Sequence, residues 1–224
     1  MECSVNNPGA DWVDRYLDPH LRTRLPGRSE LMCLQIGPDD DEEAQRLRDK
    51  GYRCVVLLGS LEPYRTWRWR QSPVVSRWSQ TPFQEEAFDV IFTGWFGKLA
   101  DSRRNYPLVA REFCRLVRPG GAMLLTMSNR WCPVDLIDRQ LSVPGRAPAA
   151  RASLKDLRTA FQGLPVSLEL LNVAGHFRWG RLPGPLSLLA PVLDAYLRWS
   201  SNPLRPASYA SGLNPMLILW VRRQ

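Results

Sequence analysis

The sequence predicts an α/β protein: a doubly wound, mostly parallel sheet with helices on both faces. Two stretches carry this expectation. Residues 31–58 read as strand, helix, strand, and residues 88–127 repeat that order. Such a unit joins parallel strands by a right-handed crossover. Strands alternating with helices give a sheet covered on both sides.

The second stretch is the clearer one. Val90, Ile91 and Phe92 form an apolar run after Asp89, too short for a helix and rich in strand formers. That pattern suits a fully buried strand. Leu108, Val109, Phe113, Leu116 and Val117 then share one helical face, with Arg104, Arg111, Glu112, Arg115 and Arg118 on the other. Pro119 disfavours helical geometry in Arg118, and Gly120-Gly121 permits a tight turn, so the helix should stop near Arg118. Residues 122–127 form the next strand. Asp89, near the start of its strand, reads as structural.

The first stretch follows the same logic. Residues 31–36 are a buried strand ended by Gly37-Pro38. Asp39, Asp40 and Asp41 open a helix, where acids complement the helix dipole and cap free amides. Gly51 stops it, and residues 53–58 form the second strand. Residues 74–78 read as a short third strand.

The remaining segments are less regular. Trp12, Val13, Tyr16, Leu17 and Leu21 make an apolar stripe interrupted by Pro19, giving one or two short helices in an N-terminal arm, residues 1–30. Residues 31–224 form the main domain. Between residues 62 and 71, Tyr64, Trp67 and Trp69 interleave with Arg65, Arg68 and Arg70. Such a run can stack on rings or hold phosphate. It is equally an amphipathic segment with its tryptophans tucked into the domain, and that reading is preferred. Ser153 can cap a helix aligned by Leu154, Leu157 and Phe161. Residues 166–173 and 216–221 read as strands. Residues 174–215 are a Pro- and Gly-rich, lid-like insertion, with Leu186, Leu189, Leu193, Tyr196 and Leu197 at helical spacing.

Composition narrows the classes. At 224 residues the chain can bury a full core as one domain with elaborations. Nine tryptophans are many for this length, and the formal charge of +8 comes almost entirely from arginine. A basic surface favours an anionic partner. The arginines are dispersed, however, which fits a solvated surface better than a binding tract. Five cysteines, odd in number and widely spaced, fit a reducing cytoplasm; Cys33, Cys54 and Cys114 read as core residues. With no CxxC pair and only His20 and His176, no metal site is expected. Residues 1–15 lack an apolar core segment, and no run of apolar residues is long enough to span a bilayer. The expected location is cytoplasmic, with peripheral membrane contact as an alternative.

Three short matches carry a resemblance: Thr81-Pro82-Phe83, Phe88-Asp89-Val90-Ile91, and Leu116-Val117-Arg118-Pro119-Gly120-Gly121. In this order and spacing the chain resembles class I S-adenosylmethionine (SAM) dependent methyltransferases of the small-molecule kind called type 11. The resemblance covers roughly residues 31–130. It implies a Rossmann-like methyltransferase fold with an antiparallel edge strand at the C-terminus, where the strands at 166–173 and 216–221 would pair, SAM as cofactor and a small or lipid-like acceptor. In an open parallel sheet the ligand lies at the carboxyl ends of the strands, near the switch in strand order. The cofactor-binding candidates are therefore Gly37, Pro38, Gly59, Ser60, Trp78, Ser79, Thr93, Gly94 and Trp95, with Ser128 and Asn129 further along the rim.

The chain departs from the family at three places. The family's glycine-rich turn after strand one keeps Gly37, but Asp39 and Asp41 stand where two further glycines would be. The family's acid at the end of strand two is absent from Leu58-Gly59-Ser60, and Glu62 is offset. The acid expected after strand three is Arg77, which offers only donors. Each lost charged hydrogen bond costs roughly 1.5–3 kcal/mol. Two or more weaken affinity by a factor on the order of a hundred. The expectation is weakened or altered cofactor binding.

No catalytic set can be named. Nothing places Cys132 near His176, and Asp135 and Asp138 read as solvated helix positions. Two functions follow. One is a methyltransferase-like protein acting on a small or lipid-like acceptor. The other is a catalytically inactive module that serves as a structural, binding or assembly subunit, with a protein partner held through residues 174–215. Tryptophan and arginine are common interface anchors. A nucleic-acid binder ranks third, since no aromatic platform on a sheet is evident.

Overall fold

The computed structural model describes residues 13–25, 30–37, 42–59, 72–93, 96, 99, 103–129, 151–171, 195 and 216–224. Its strands are β1 (Met32–Ile36), β2 (Arg53–Leu58), β3 (Val74–Val75), β4 (Phe88–Thr93), β5 (Val117–Asn129), β6 (Arg151–Ala152), β7 (Val166–Leu171) and β8 (Met216–Arg223). Its α-helices are α1 (Asp18–Arg24), α2 (Glu42–Asp49), α3 (Tyr106–Leu116) and α4 (Leu154–Ala160). One sheet runs in the order β3-β2-β1-β4-β5-β8-β7, with the short β6 paired to β5. Strands β1 to β6 are parallel to their partners among themselves. β8 is antiparallel to β5, and β7 is antiparallel to β8 and stands outermost.

Side chains alternate across a strand, so the central strands β1, β2, β4, β5 and β8 feed two cores. Leu34, Ile36, Ile91, Met123 and Leu125 face α3 and α4, packing with Val109, Phe113 and Leu157. Cys33, Val56, Leu58, Val90, Phe92 and Trp220 face the other way, onto Ala44 and Leu47 of α2 and onto Val13, Leu17 and Leu21 near the N-terminus. The N-terminal helix begins as a π-helical turn, Val13–Leu17, and continues as α1. Pro19 lies in the first turn of α1, directly after the π-helical turn. Asp18 ties this segment to the domain: Tyr52 Oη donates to its carboxylate at 2.5 Å and Arg22 at 2.8 Å. Arg24 adds a bidentate pair with Glu169 on β7 and lies over the Trp220 ring at 5.2 Å.

The helix over the second half ends at Leu116, and β5 starts at Val117. Pairing jumps from Phe88↔Val117 to Val90↔Ala122, so Gly120-Gly121 makes a bulge within β5 rather than a free turn. Gly120 takes a left-handed φ of 74° there. Asp89 sits beside the bulge and does structural work. Its carboxylate accepts the Met32 N–H at 2.9 Å and lies 3.3 Å from the Arg118 guanidinium. Ser153 caps α4 in a reciprocal box with Asp156.

One expected strand is shorter than its sequence pattern. Residues 74–78 pair with β2 as a strand only at Val74 and Val75, Arg77 bridges to Gln80, and Trp78 lies in a turn. The Gln80 N–H donates to the Arg77 carbonyl at 3.2 Å, and Ser76 Oγ donates to the Gln80 carbonyl at 2.9 Å. These bonds close a loop that an extended strand would leave open. The Trp- and Arg-rich run at 62–71, the loop at 130–150 and the insertion at 174–215 lie outside the described residues. Among the described residues no helix is long and apolar enough to cross a membrane.

Candidate functional site: the rim at the strand ends

The parallel strands β1, β2, β3 and β4 end along one rim. Gly37 continues the ladder past β1, its N–H donating to the Leu57 carbonyl at 2.9 Å. Ser76 does the same past β3, its N–H donating to the Leu58 carbonyl at 2.9 Å. Gly59 follows Leu58 at the same level. Thr93 closes β4, one residue beyond the Phe92 that pairs with Gln35. It is buried, and its carbonyl accepts from Thr126 Oγ1 at 3.1 Å.

The turn after β3 folds the Trp78 indole back across this floor. A β-carbon at Gly59 would lie 2.3 Å from the indole Cζ2, 2.5 Å from Cε2 and 2.9 Å from Nε1. Only a bare backbone admits the ring so closely. A β-carbon at Gly37, which holds a left-handed φ of 65°, would lie 2.8 Å from Leu99 Cδ2 and 3.6 Å from the indole Cη2. Two apolar side chains therefore rest on the two glycines. Ser79 is exposed on the same turn.

The structure thus brings together Gly37, Gly59 and Trp78, with Thr93 at the end of the neighbouring strand. Pro38, Ser60, Gly94 and Trp95 lie outside the described residues, as do Asp39, Asp41 and Glu62. Leu99 was not expected at the site. No periodicity marks it, because it reaches Gly37 from a segment after β4. Two polar features were also missed. Gln35 is buried, donates through Nε2 to Glu43 at 2.7 Å, and has no partner for its Oε1 among the described residues. Glu112 on α3 gathers the loop after Trp78: it accepts the Thr81 N–H at 2.9 Å and hydroxyl at 2.6 Å, and Arg115 at 2.7 and 2.9 Å. Burial pushes the Glu112 carboxyl up, but the bonds from Arg115 and Thr81 outweigh it and hold the carboxyl below its usual value.

Among the described residues the buried thiols offer no nucleophile. Cys33 and Cys54 face each other on β1 and β2. Burial raises the Cys33 thiol and pushes Cys54 up to about 12, so both stay protonated at neutral pH.

Strand order and rim define an open α/β protein; in such sheets ligands bind outside the carboxyl ends of the strands, which here makes the β1, β2 and β4 ends the candidate crevice. No protein-family model matches the chain, and no curated protein matches it. Solved structures do. A SAM-dependent methyltransferase from Archaeoglobus fulgidus superposes with a TM-score of 0.55 at 12% identity, covering 93% of each chain. The complex between the Haloferax volcanii Trm112 methyltransferase activator and a protein described as a methyltransferase gives 0.57 at 16% identity, covering 96% of this chain and 93% of that one. The [4+2]-cyclase SpnF gives 0.53 at 17% identity, covering 92% and 80%. The chain has the class I SAM-dependent methyltransferase fold.

That fold implies SAM, and the floor offers a test of fit. Gly37 and Gly59 leave the bare backbone that a cofactor could approach. Yet the indole and Leu99 lie against it, and no carboxylate stands among the described rim residues Gly37, Gly59, Trp78, Ser79, Thr93 and Leu99. In this arrangement the described rim residues do not fit the cofactor.

Proposed function

We propose that this chain is a methyltransferase-like protein, akin to SAM-dependent enzymes that act on small or lipid-like acceptors, with weakened or altered cofactor binding. The indole packed on Gly59 carries this reading, because it fills the place where the fold's cofactor would approach the backbone. The three sequence departures, Asp39 with Asp41, Gly59 without an acid, and Arg77, support it. The expected location is cytoplasmic. Calorimetric titration of the purified protein with SAM should give a dissociation constant no tighter than about 100 μM, near −5.5 kcal/mol. Binding at low micromolar or better overturns the reading.

The absence of a carboxylate among the described rim residues favours a second reading, a non-catalytic binding or assembly module. The structural neighbour solved with an activator protein supports a protein partner, proposed to dock through residues 174–215. Restoring glycine at Asp39 and Asp41 separates the two. The first reading expects SAM binding to strengthen at least several-fold. The module reading expects no measurable binding before or after.

A further inference from the structure

We infer that Trp78 is a built-in occupant of the cofactor crevice: its indole lies where a planar ring ligand would lie, and a purine nucleoside binds only when the indole leaves. The inference rests on the crevice assigned above, but not on methyl transfer.

Three observations converge on the indole. The ring lies on Gly59 so closely that a single added carbon would overlap it, at 2.3 Å from Cζ2. It extends to Gly37, where a β-carbon would lie 3.6 Å from Cη2 and 3.7 Å from Cζ2. It therefore bridges the ends of β1 and β2, the two strands whose carboxyl ends bound the crevice. Finally, Trp78 is only half-buried while it packs on the main core. An indole and an adenine are flat aromatic systems of similar size, so one excludes the other from a single glycine floor.

The segment that carries the ring is anchored at Thr81 by Glu112 but lightly held ahead of that point. β3 is a two-residue strand at the sheet edge. Beyond it, the turn is closed by the Gln80 N–H to the Arg77 carbonyl and by Ser76 Oγ to the Gln80 carbonyl. Short edge elements with few buried bonds open at low cost. The apparent dissociation constant equals the intrinsic constant divided by the open fraction. With the ring seated most of the time, Trp78 lowers nucleoside affinity in proportion to its occupancy. Removing the ring removes that penalty.

Two experiments test this. In the first, the full chain, Trp78→Ala and Trp78→Leu are titrated calorimetrically with adenosine and with SAM. Leucine keeps an apolar contact with the core but removes the ring. Both variants should bind adenosine at least about tenfold tighter than the unmodified chain. Equal or weaker binding overturns the inference, and weaker binding means that the indole stacks on the ligand instead of replacing it. The second experiment needs no ligand. Gly59→Ala should lower the melting temperature clearly in the unmodified chain and much less in the Trp78→Ala background, because the clash is with the ring. An equal loss in both backgrounds shows that the ring does not rest on Gly59, and the inference fails. The outcomes separate from those of the functional reading. Tight SAM binding by the unmodified chain sinks weakened binding, while a further gain on losing the ring still upholds the occupant. Weak binding that Trp78→Ala leaves unchanged does the reverse.

Discussion

Gly121→Ala should destabilise the protein by about 1–3 kcal/mol, at the upper end for an overpacked position. A β-carbon there would lie 2.6 Å from the Asp89 carbonyl oxygen, 2.8 Å from Val117 Cγ1 and 2.9 Å from the Arg118 carbonyl oxygen. Two of the three opposing atoms are backbone, and backbone cannot rotate away as a side chain can. Moving the Asp89 carbonyl also drags the residue whose carboxylate holds the Met32 N–H and the Arg118 guanidinium. The damage should therefore spread from the β4–β5 bulge to the start of β1. For a domain of this size the melting temperature should fall by roughly 2–12 °C. Gly51→Ala is the control. Gly51 has a left-handed φ of 93° but nothing within 4 Å of an added carbon, so it reports backbone strain alone. Strain of that kind costs about 1–2 kcal/mol. A Gly121→Ala protein as stable as the parent contradicts the packing at the bulge.

Glu112→Ala should cost more, about 3–5 kcal/mol, because two buried Thr81 donors lose their acceptor at about 1–3 kcal/mol each and the partly exposed Arg115 loses its partner. The Glu112 residue is 9% exposed, and its carboxylate accepts two bonds from Thr81 and two from Arg115. Without it the buried Thr81 N–H and hydroxyl lose their acceptor. Among the described residues Arg115 keeps its bond to the Phe83 carbonyl and a long contact to Thr81. Thr81 follows the Trp78 turn by three residues, so the change should also loosen that turn. Glu112→Gln keeps the shape and loses the charge, and should cost about 1.5–3 kcal/mol. The pH dependence has a definite sign. The folded-state carboxyl lies below its unfolded value of 4.5, so the unfolded chain binds the proton more readily. The stabilisation is therefore complete above 4.5 and is lost as pH falls through the folded value. Denaturant titrations should show the gap between the parent and Glu112→Gln at neutral pH closing in acid. A gap that stays constant across that range contradicts the role of the charge.

Much of the fold was legible because its signals are local. An apolar run of three to six residues, a helical stripe, and a proline or glycine at each boundary depend only on near neighbours. They placed β1, β2, α3 and β5 within a few residues. The parallel order followed from the crossover units, and the antiparallel β7 and β8 from the family resemblance. The rim was legible in part. The rule that ligands lie at the carboxyl ends of parallel strands selected Gly37, Gly59, Trp78 and Thr93 before any coordinates. The same rule could not say how those residues meet. Trp78 read as the end of a strand, since Val-Val-Ser-Arg-Trp has no breaker. Only the pairing of Ser76 with Leu58 and the turn closed at Gln80 sent its ring back over Gly59. Leu99 on Gly37 and Thr81 on Glu112 likewise join residues from separate elements. Residue types and periods are written along the chain, so the sequence by itself determined the layers, the strand ends and the missing acids. Contact between side chains far apart in sequence depends on where the backbone turns and which gaps glycine leaves. Tertiary structure alone decided that the chain's own indole lies in the crevice those glycines leave open.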